Sequence, residues 1–268
     1  MLLYDHYNRR INYLRVSVTD KCNFRCTYCM PEEGVKYISH QQILRFEEIT
    51  GFIKVAVSLG INKVRITGGE PLVRKSIVQL VSMIGKIDGI DDFSMTTNGY
   101  YLKEYAELLF HAGLKRVNIS LDTINPEHFA AITRGGNVYN VIDGILAAQQ
   151  AGFNPIKLNV VVKSDKNKPD ALEVAEFAAK NHLQVRFIKL MKLDTGIFSR
   201  VEGGDGGNCN ECNRLRLTAD GFLMPCLFCN IKINIREMSY QEAILKAIEL
   251  KPEAGSQNQT GTFYNIGG

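Results

Sequence analysis

Six short β-rich runs alternating with longer helical patterns most restrict what this 268-residue chain can fold into. The runs span residues 14–19, 63–67, 93–97, 116–121, 156–162 and 184–190. Residues 46–59, 75–87, 102–112, 138–151 and 171–181 lie between them, with apolar side chains recurring at helical spacing. Asn125-Pro126 and Lys168-Pro169 put proline in a first helical turn, where its missing N–H costs nothing. Strand–helix units in series build a parallel sheet covered by helices, and right-handed crossovers curl that sheet into a barrel or partial barrel. Six units are too few for a closed eight-fold barrel.

The pattern changes after Met191. Residues 194–208 are glycine-rich and read as a linker or flexible loop. A cysteine-bearing stretch, 209–229, follows. Ser239 and Glu242 then form a capping box before an apolar helical run. Residues 251–268 are polar and end in Gly267-Gly268, which by composition alone read as a loose terminus. The division expected is 1–192 and 193–268.

Net charge is +4, enough to suit an anionic small substrate and too little to argue for nucleic acid. The longer apolar runs are broken by charge, and the polar start MLLYDHYNRR carries no secretory core, so the expectation is a cytoplasmic protein without a membrane partner.

Seven cysteines fall in two groups, 22/26/29 and 209/212/226/229. Three thiolates spaced Cys22-x3-Cys26-x2-Cys29 must wrap one small object. A four-iron cluster normally takes four cysteines, so three leave one iron open for chemistry. Structural zinc wants four ligands in two pairs, disulfides belong to oxidising compartments, and unrelated buried cysteines rarely fall three to eight residues. The triad follows the first run. Gly68-Gly69-Glu70-Pro71 follows the second, Thr96 and Thr97 end the third, and Ser120 closes the fourth. Chemistry in such barrels sits at the C-terminal strand ends, so one rim gathers a cluster, a glycine turn and hydroxyls: a cofactor site by placement. Arg15, Arg65, Lys157 and Arg186 lie on the β-rich runs, where cations can point into the lumen, and Arg214 and Arg216 share one side of an extended segment. Guanidinium forks suit phosphate oxygens.

The triad with Tyr28, and GGEP at 68–71, resemble the radical S-adenosylmethionine (SAM) superfamily. LRVSVTDKCNFRCTYCMP, KVRITGGEPLVRK, TTNG, RVNISLD, KLNVVV, VRFI, CNRLRLTADG, PCLF and the terminal IGG resemble its GTP 3',8-cyclases of molybdenum cofactor biosynthesis. The resemblance implies an α/β fold, a partial (β/α)6 barrel with a small C-terminal iron–sulfur module. It implies two [4Fe-4S] clusters, SAM, an electron-donor protein and GTP as substrate; a homodimer is compatible. A 5'-deoxyadenosyl radical would take hydrogen from the GTP ribose, and C3' would be joined to guanine C8. By the same resemblance Cys22, Cys26 and Cys29 hold the first cluster. Tyr28, Gly68, Gly69, Glu70, Pro71, Ser120 and Met191 belong to SAM, and Arg15, Arg65, Thr96, Lys157, Arg186, Arg214, Leu215 and Arg216 to the substrate. Cys209, Cys212 and Cys226 hold the second cluster, and the terminal Gly267-Gly268 enters the site.

Three departures keep alternatives open. Family members usually carry several dozen more residues between VRFI and the second cysteine group. PCLFCN adds Cys229, so the second group could close its cluster fully, or hold zinc. Lys189 stands where an acidic residue is common. A related radical SAM enzyme with a closed second cluster, acting on another nucleotide, a polyol or a peptide, is one alternative. A non-catalytic iron–sulfur or zinc module is the other.

Overall fold

The computed structural model describes residues 2–163, 166–259 and 263–266. Its strands are β1 (Tyr13–Ser17), β2 (Lys63–Thr67), β3 (Asp92–Thr97), β4 (Arg116–Ser120), β5 (Lys157–Val162), β6 (Gln184–Lys189), β7 (Arg214–Leu217), β8 (Phe222–Met224) and β9 (Ile233–Asn234). The helices are α1 (Phe46–Ser58), α2 (Ile77–Gly85), α3 (Leu102–His111), α4 (Pro126–Thr133), α5 (Val138–Gln150), α6 (Pro169–Lys180), α7 (Tyr240–Glu249) and a short α8 (Phe263–Ile266). The sheet order is β6-β5-β4-β3-β2-β1-β7-β8-β9. β1 to β6 follow one another in space as in sequence, all parallel, as right-handed βα units require. This is the expected α/β partial barrel.

Boundaries agree to within one or two residues. α2 starts at Ile77, not residue 75, because Pro71–Val73 forms a 3-10 turn and Ser76 is left-handed at φ 61°. Asn125 caps α4 by accepting from the N–H groups of Glu127 and His128, and Ser239 with Glu242 closes the expected box on α7.

The C-terminal strands were legible only in part. β7 pairs parallel with β1, on the side away from β2, and β8 and β9 add to it antiparallel. The second cysteine group therefore grows from the same sheet as the barrel. Residues Leu215, Leu217, Ile244 and Ala247 join the main core with Leu14, Val16 and Phe52. A second apolar cluster of Leu193, Met224, Leu227, Phe228 and Ile266 sits beneath the α8 turn. Among the described residues, no helix is long and apolar enough to cross a membrane.

Candidate active site

Side chains alternate across a strand, and here the two faces differ in kind. Leu14 and Val16, Val64 and Ile66, Val117 and Ile119, and Leu215 and Leu217 enter the core. The other face carries the charge. Strand register aligns Arg216 with Arg15, Arg15 with Arg65, Arg65 with Ser94, and Ser94 with Arg116, one row across five strands. A second row runs Arg214, Tyr13, Lys63 and Asp92. Like charges side by side on a sheet repel, so such a row is stable only with help. Tyr13 gives some: the guanidiniums of Arg65 and Arg214 lie 5.4 and 5.5 Å from its ring centre. Asp92 pairs with Arg116 at 2.6 Å, and Arg65 Nε donates to Ser94 Oγ at 3.1 Å. Burial, then Arg214, brings the Arg216 guanidinium down to about 10. Burial first and Arg216 next lower Arg15, and burial followed by Arg186 lowers Lys157. The row is short of negative charge.

These cations line a cavity of about 420 Å³. Cys209, Cys212 and Cys226 line it too, as do Gly204 to Gly207 of the glycine-rich loop. Cys229 does not line it. Its side chain is turned into the protein, where Sγ donates to the Cys226 carbonyl at 3.4 Å and the residue is buried. Cys212 and Cys226 are shifted in opposite directions, Cys226 upward by burial. Burial opposes the charge on Cys212 as well, but the Lys251 ammonium and the Arg214 N–H outweigh it and pull that thiol below its ordinary value.

A second cavity, about 210 Å³, opens at the C-terminal ends of β1 to β5. Cys22, Cys26 and Cys29 line it with Tyr28, Gly68, Gly69 and Ser120. The cysteines are free thiols. Burial pushes Cys22 up to about 12 and Cys29 to about 11, so thiolates there need a cation. Among the described residues no three donors converge as one metal ion requires, whereas the triad rings a space, which suits a multi-iron cluster. The two glycines are required by close approach. A Cβ on Gly69 would lie 2.3 Å from the Lys21 carbonyl oxygen, and one on Gly68 2.7 Å from that of Thr19. The GGEP turn thus rests against the loop that carries the cysteines.

Thr96, Asn159, Ile188 and Met191 line both cavities and form their common wall. Thr96 Oγ1 is buried and has no hydrogen-bond partner among the described residues. Such an atom is costly unless a ligand satisfies it.

The Radical SAM superfamily profile matches residues 16–178. The GTP 3',8-cyclase of Alkaliphilus oremlandii is 41% identical over 297 residues, covering 93% of each chain. That of Listeria welshimeri is 40% identical over 305 residues, covering 94% of this chain and 91% of its own. The chain is a radical SAM protein of the GTP 3',8-cyclase family. These alignments are longer than the chain itself, so the relatives carry residues that it lacks, in keeping with the short connection before the second cysteine group. Among solved structures, Streptococcus suis SuiB bound to S-adenosylmethionine shares the fold at TM-score 0.69 and 14% identity, covering 92% of this chain and 66% of that one. Native anSMEcpe with bound AdoMet does so at TM-score 0.64 and 15% identity, covering 90% and 81%.

In this radical SAM protein most residues singled out by sequence converge on the two cavities. Three do not. Leu215 faces the core because it alternates with Arg214 and Arg216. Glu70 and Pro71 lie behind the cavity wall. The Glu70 carboxylate accepts from Leu72 N at 2.9 Å, Thr97 Oγ1 at 2.7 Å and Asn98 N at 2.6 Å, tying the glycine turn to the end of β3. Lys189 lines the cavity of the cysteine triad. Gly267 and Gly268 lie outside the described residues, although Phe263 and Tyr264 just before them line the cavity of the cysteine triad.

Sequence reasoning missed Tyr13, Arg116, Asn159 and Lys251. Arg116 and Asn159 were within reach, since they alternate with Ser120 and Lys157 on recognised strands. Lys251 carried no signal.

Glu70 gives a pH prediction. Burial lifts its carboxyl to about 7 against three donors that favour the anion. A folded value above the ordinary 4.5 means that its stabilisation is full below about pH 4.5 and is lost as pH rises through about 7. Glu70→Gln turns an amide donor toward the Asn98 N–H and costs about 2 kcal/mol. Urea melts should show the gap between wild type and variant narrowing from pH ~5 to ~8; a gap that widens contradicts this account.

Proposed function

We propose that the chain is a GTP 3',8-cyclase acting early in molybdenum cofactor biosynthesis. The observation that carries this reading is the shared wall: a cysteine-ringed cavity adjoins a guanidinium-lined one across Thr96, Asn159, Ile188 and Met191. Cys22, Cys26 and Cys29 hold the first [4Fe-4S] cluster, and Tyr28, Gly68, Gly69, Ser120 and Met191 surround SAM. When bound, that pair supplies the 5'-deoxyadenosyl radical that takes hydrogen from the GTP ribose, so that C3' is joined to guanine C8. The chain's own contributions are position and dryness. Tyr28 is fixed through its hydroxyl, which donates to Asp122 at 2.7 Å. Arg15, Arg65, Arg216, Lys157 and Arg186 supply the positive charge that a triphosphate needs. Ile188 and Met191 keep water from the wall between the cavities.

Cys209, Cys212 and Cys226 hold the second cluster, within a C-terminal unit taken as 193–268 beside the 1–192 barrel. Glu70 and Pro71 act on SAM indirectly, through the turn they brace. The protein works in the cytoplasm with a protein electron donor; a homodimer fits this reading. Anaerobic incubation with GTP, SAM and dithionite should yield 5'-deoxyadenosine and the 3',8-cyclised nucleotide. SAM cleavage without the cyclised product would reject GTP as substrate.

The closed-cluster alternative requires Cys229 as a ligand. Its buried thiol turned away from the cavity argues otherwise. Cys229→Ala is expected to keep its full iron content and cluster spectrum, while Cys226→Ala loses the second cluster. Loss of iron from Cys229→Ala would favour the alternative.

A further inference from the structure

Two buried cations grip the second cysteine group from behind, and neither belongs to the guanidinium row. Arg9 is 6% exposed and Lys251 3%. Arg9 has a carboxylate of its own, Asp5, at 2.6 Å. Its other arms donate to the carbonyls of Cys209, Glu253 and Pro252, each at 2.7 Å. These bonds tie the N-terminal segment and the stretch after α7 to the first cysteine of the group. Lys251 follows α7 directly. Its ammonium donates to the Arg214 carbonyl at 2.8 Å, the Pro225 carbonyl at 2.6 Å and Cys212 Sγ at 3.5 Å. All three donors are thus engaged, on both chain segments that carry the cavity-facing cysteines.

The difference between the two cations is charge balance. Among the described residues, no carboxylate lies within ion-pair distance of Lys251. Two carbonyl dipoles and a sulfur surround it instead. A buried ammonium without a counter-ion is expensive, by several kcal/mol, and proteins seldom retain one without use. Of the groups able to carry full negative charge, the one it hydrogen-bonds is the Cys212 sulfur, and the Cys226 and Cys229 thiols lie near enough to feel its charge. A cluster bound by three thiolates is a net anion, and reduction makes it more negative. Hydrogen bonds and positive charge at cluster sulfurs favour the reduced state.

We propose that Lys251 is a positioning residue for the second iron–sulfur cluster: it is the fixed counter-charge at Cys212, and it sets how readily that cluster forms and accepts an electron. The inference rests on the reading of Cys209, Cys212 and Cys226 as cluster ligands. Arg9 shares the positioning part of the role without the charge part, because Asp5 already neutralises it. Lys251→Gln should therefore change the cluster's potential, and Lys251→Arg should restore it in part.

The test uses the full-length chain with Cys22, Cys26 and Cys29 replaced by alanine, so that only the second group can bind iron. After anaerobic reconstitution, iron and sulfide are counted and the cluster is titrated potentiometrically by electron paramagnetic resonance. Lys251→Gln on this background should move the midpoint to more negative potential and speed iron loss to a chelator severalfold, with Lys251→Arg between it and the parent. Unchanged midpoint and iron retention in Lys251→Gln would overturn the role of Lys251 alone. A parent that binds no iron would refute the reading of the second group itself. Because a variant can fail to fold, the same protein with native Lys251 and ¹⁵N-labelled lysine supplies a second measurement. The reduced cluster should show a ¹⁵N hyperfine coupling from the ammonium on Cys212; its absence overturns the contact.

Discussion

Replacing Arg216 with methionine is expected to weaken GTP binding thirty- to hundred-fold without weakening the fold. Arg216 sits in the registered row with Arg15 and Arg65 and is 8% exposed. Losing one charge-assisted contact to a phosphate corresponds to about 2–3 kcal/mol. The stability side has the opposite sign. Burial and Arg214 hold the guanidinium at about 10, below its ordinary 12.5, so the folded state disfavours its charge at neutral pH. That difference is worth about 3 kcal/mol against folding, recovered only as pH rises above about 10. The methionine variant should melt at the same temperature as the ligand-free protein or higher. Calorimetric titration with GTP and a thermal melt without it check both halves. Because Arg216 does not line the cavity of the first cysteine triad, slow SAM cleavage in the absence of GTP should persist. Parallel loss of SAM cleavage and GTP binding would contradict the separation of the two cavities.

Gly69→Ala is expected to remove activity altogether. Its Cβ would stand 2.3 Å from the Lys21 carbonyl oxygen, 2.7 Å from the carbonyl carbon and 2.8 Å from the Asp20 oxygen. These are backbone atoms and cannot swing aside. Relief requires moving the turn off the loop that presents Cys22, or moving that loop. Overpacking of this kind costs about 3 kcal/mol. The displacement falls on the wall of the triad's cavity, so iron loading of the triad and SAM affinity should both drop more than tenfold. Iron at the second cysteine group should be retained, since its cysteines lie just before β7 and just after β8, away from that turn. Retention of full SAM-cleavage activity in Gly69→Ala would show that the contact is looser than its geometry.

The barrel was largely legible because parallel strands buried by helices announce themselves as short apolar runs. Residues 63–67 matched β2 end for end, and the others shifted by a residue or two where capping and the 3-10 turn at Pro71 decide the boundary. The triad's cavity was legible because its three cysteines are close in sequence. The second cysteine group was harder. β8 and β9 are three and two residues long and carry no period to detect. Leu215 was grouped with its arginine neighbours by motif, and strand alternation turned it into the core. Glu70 was read as part of a cofactor motif; its carboxylate instead binds the chain, because Leu72, Thr97 and Asn98 present their donors to it.

By itself the sequence determined the α/β class, the cysteine triad, the tight glycine turn and most of the cations, since each follows from local spacing or strand parity. Tertiary structure decided what no local spacing contains. Pairing of β7 with β1 placed Arg216 beside Arg15 and made scattered cations into one row. Alternation and packing turned Cys229 inward and left Cys209, Cys212 and Cys226 on the cavity. Chain segments two hundred residues apart brought Arg9 to Cys209, and the segment after α7 brought Lys251 to Cys212. Those contacts arise from where the sheet ends and the last helix docks, and they exist only once the chain is folded.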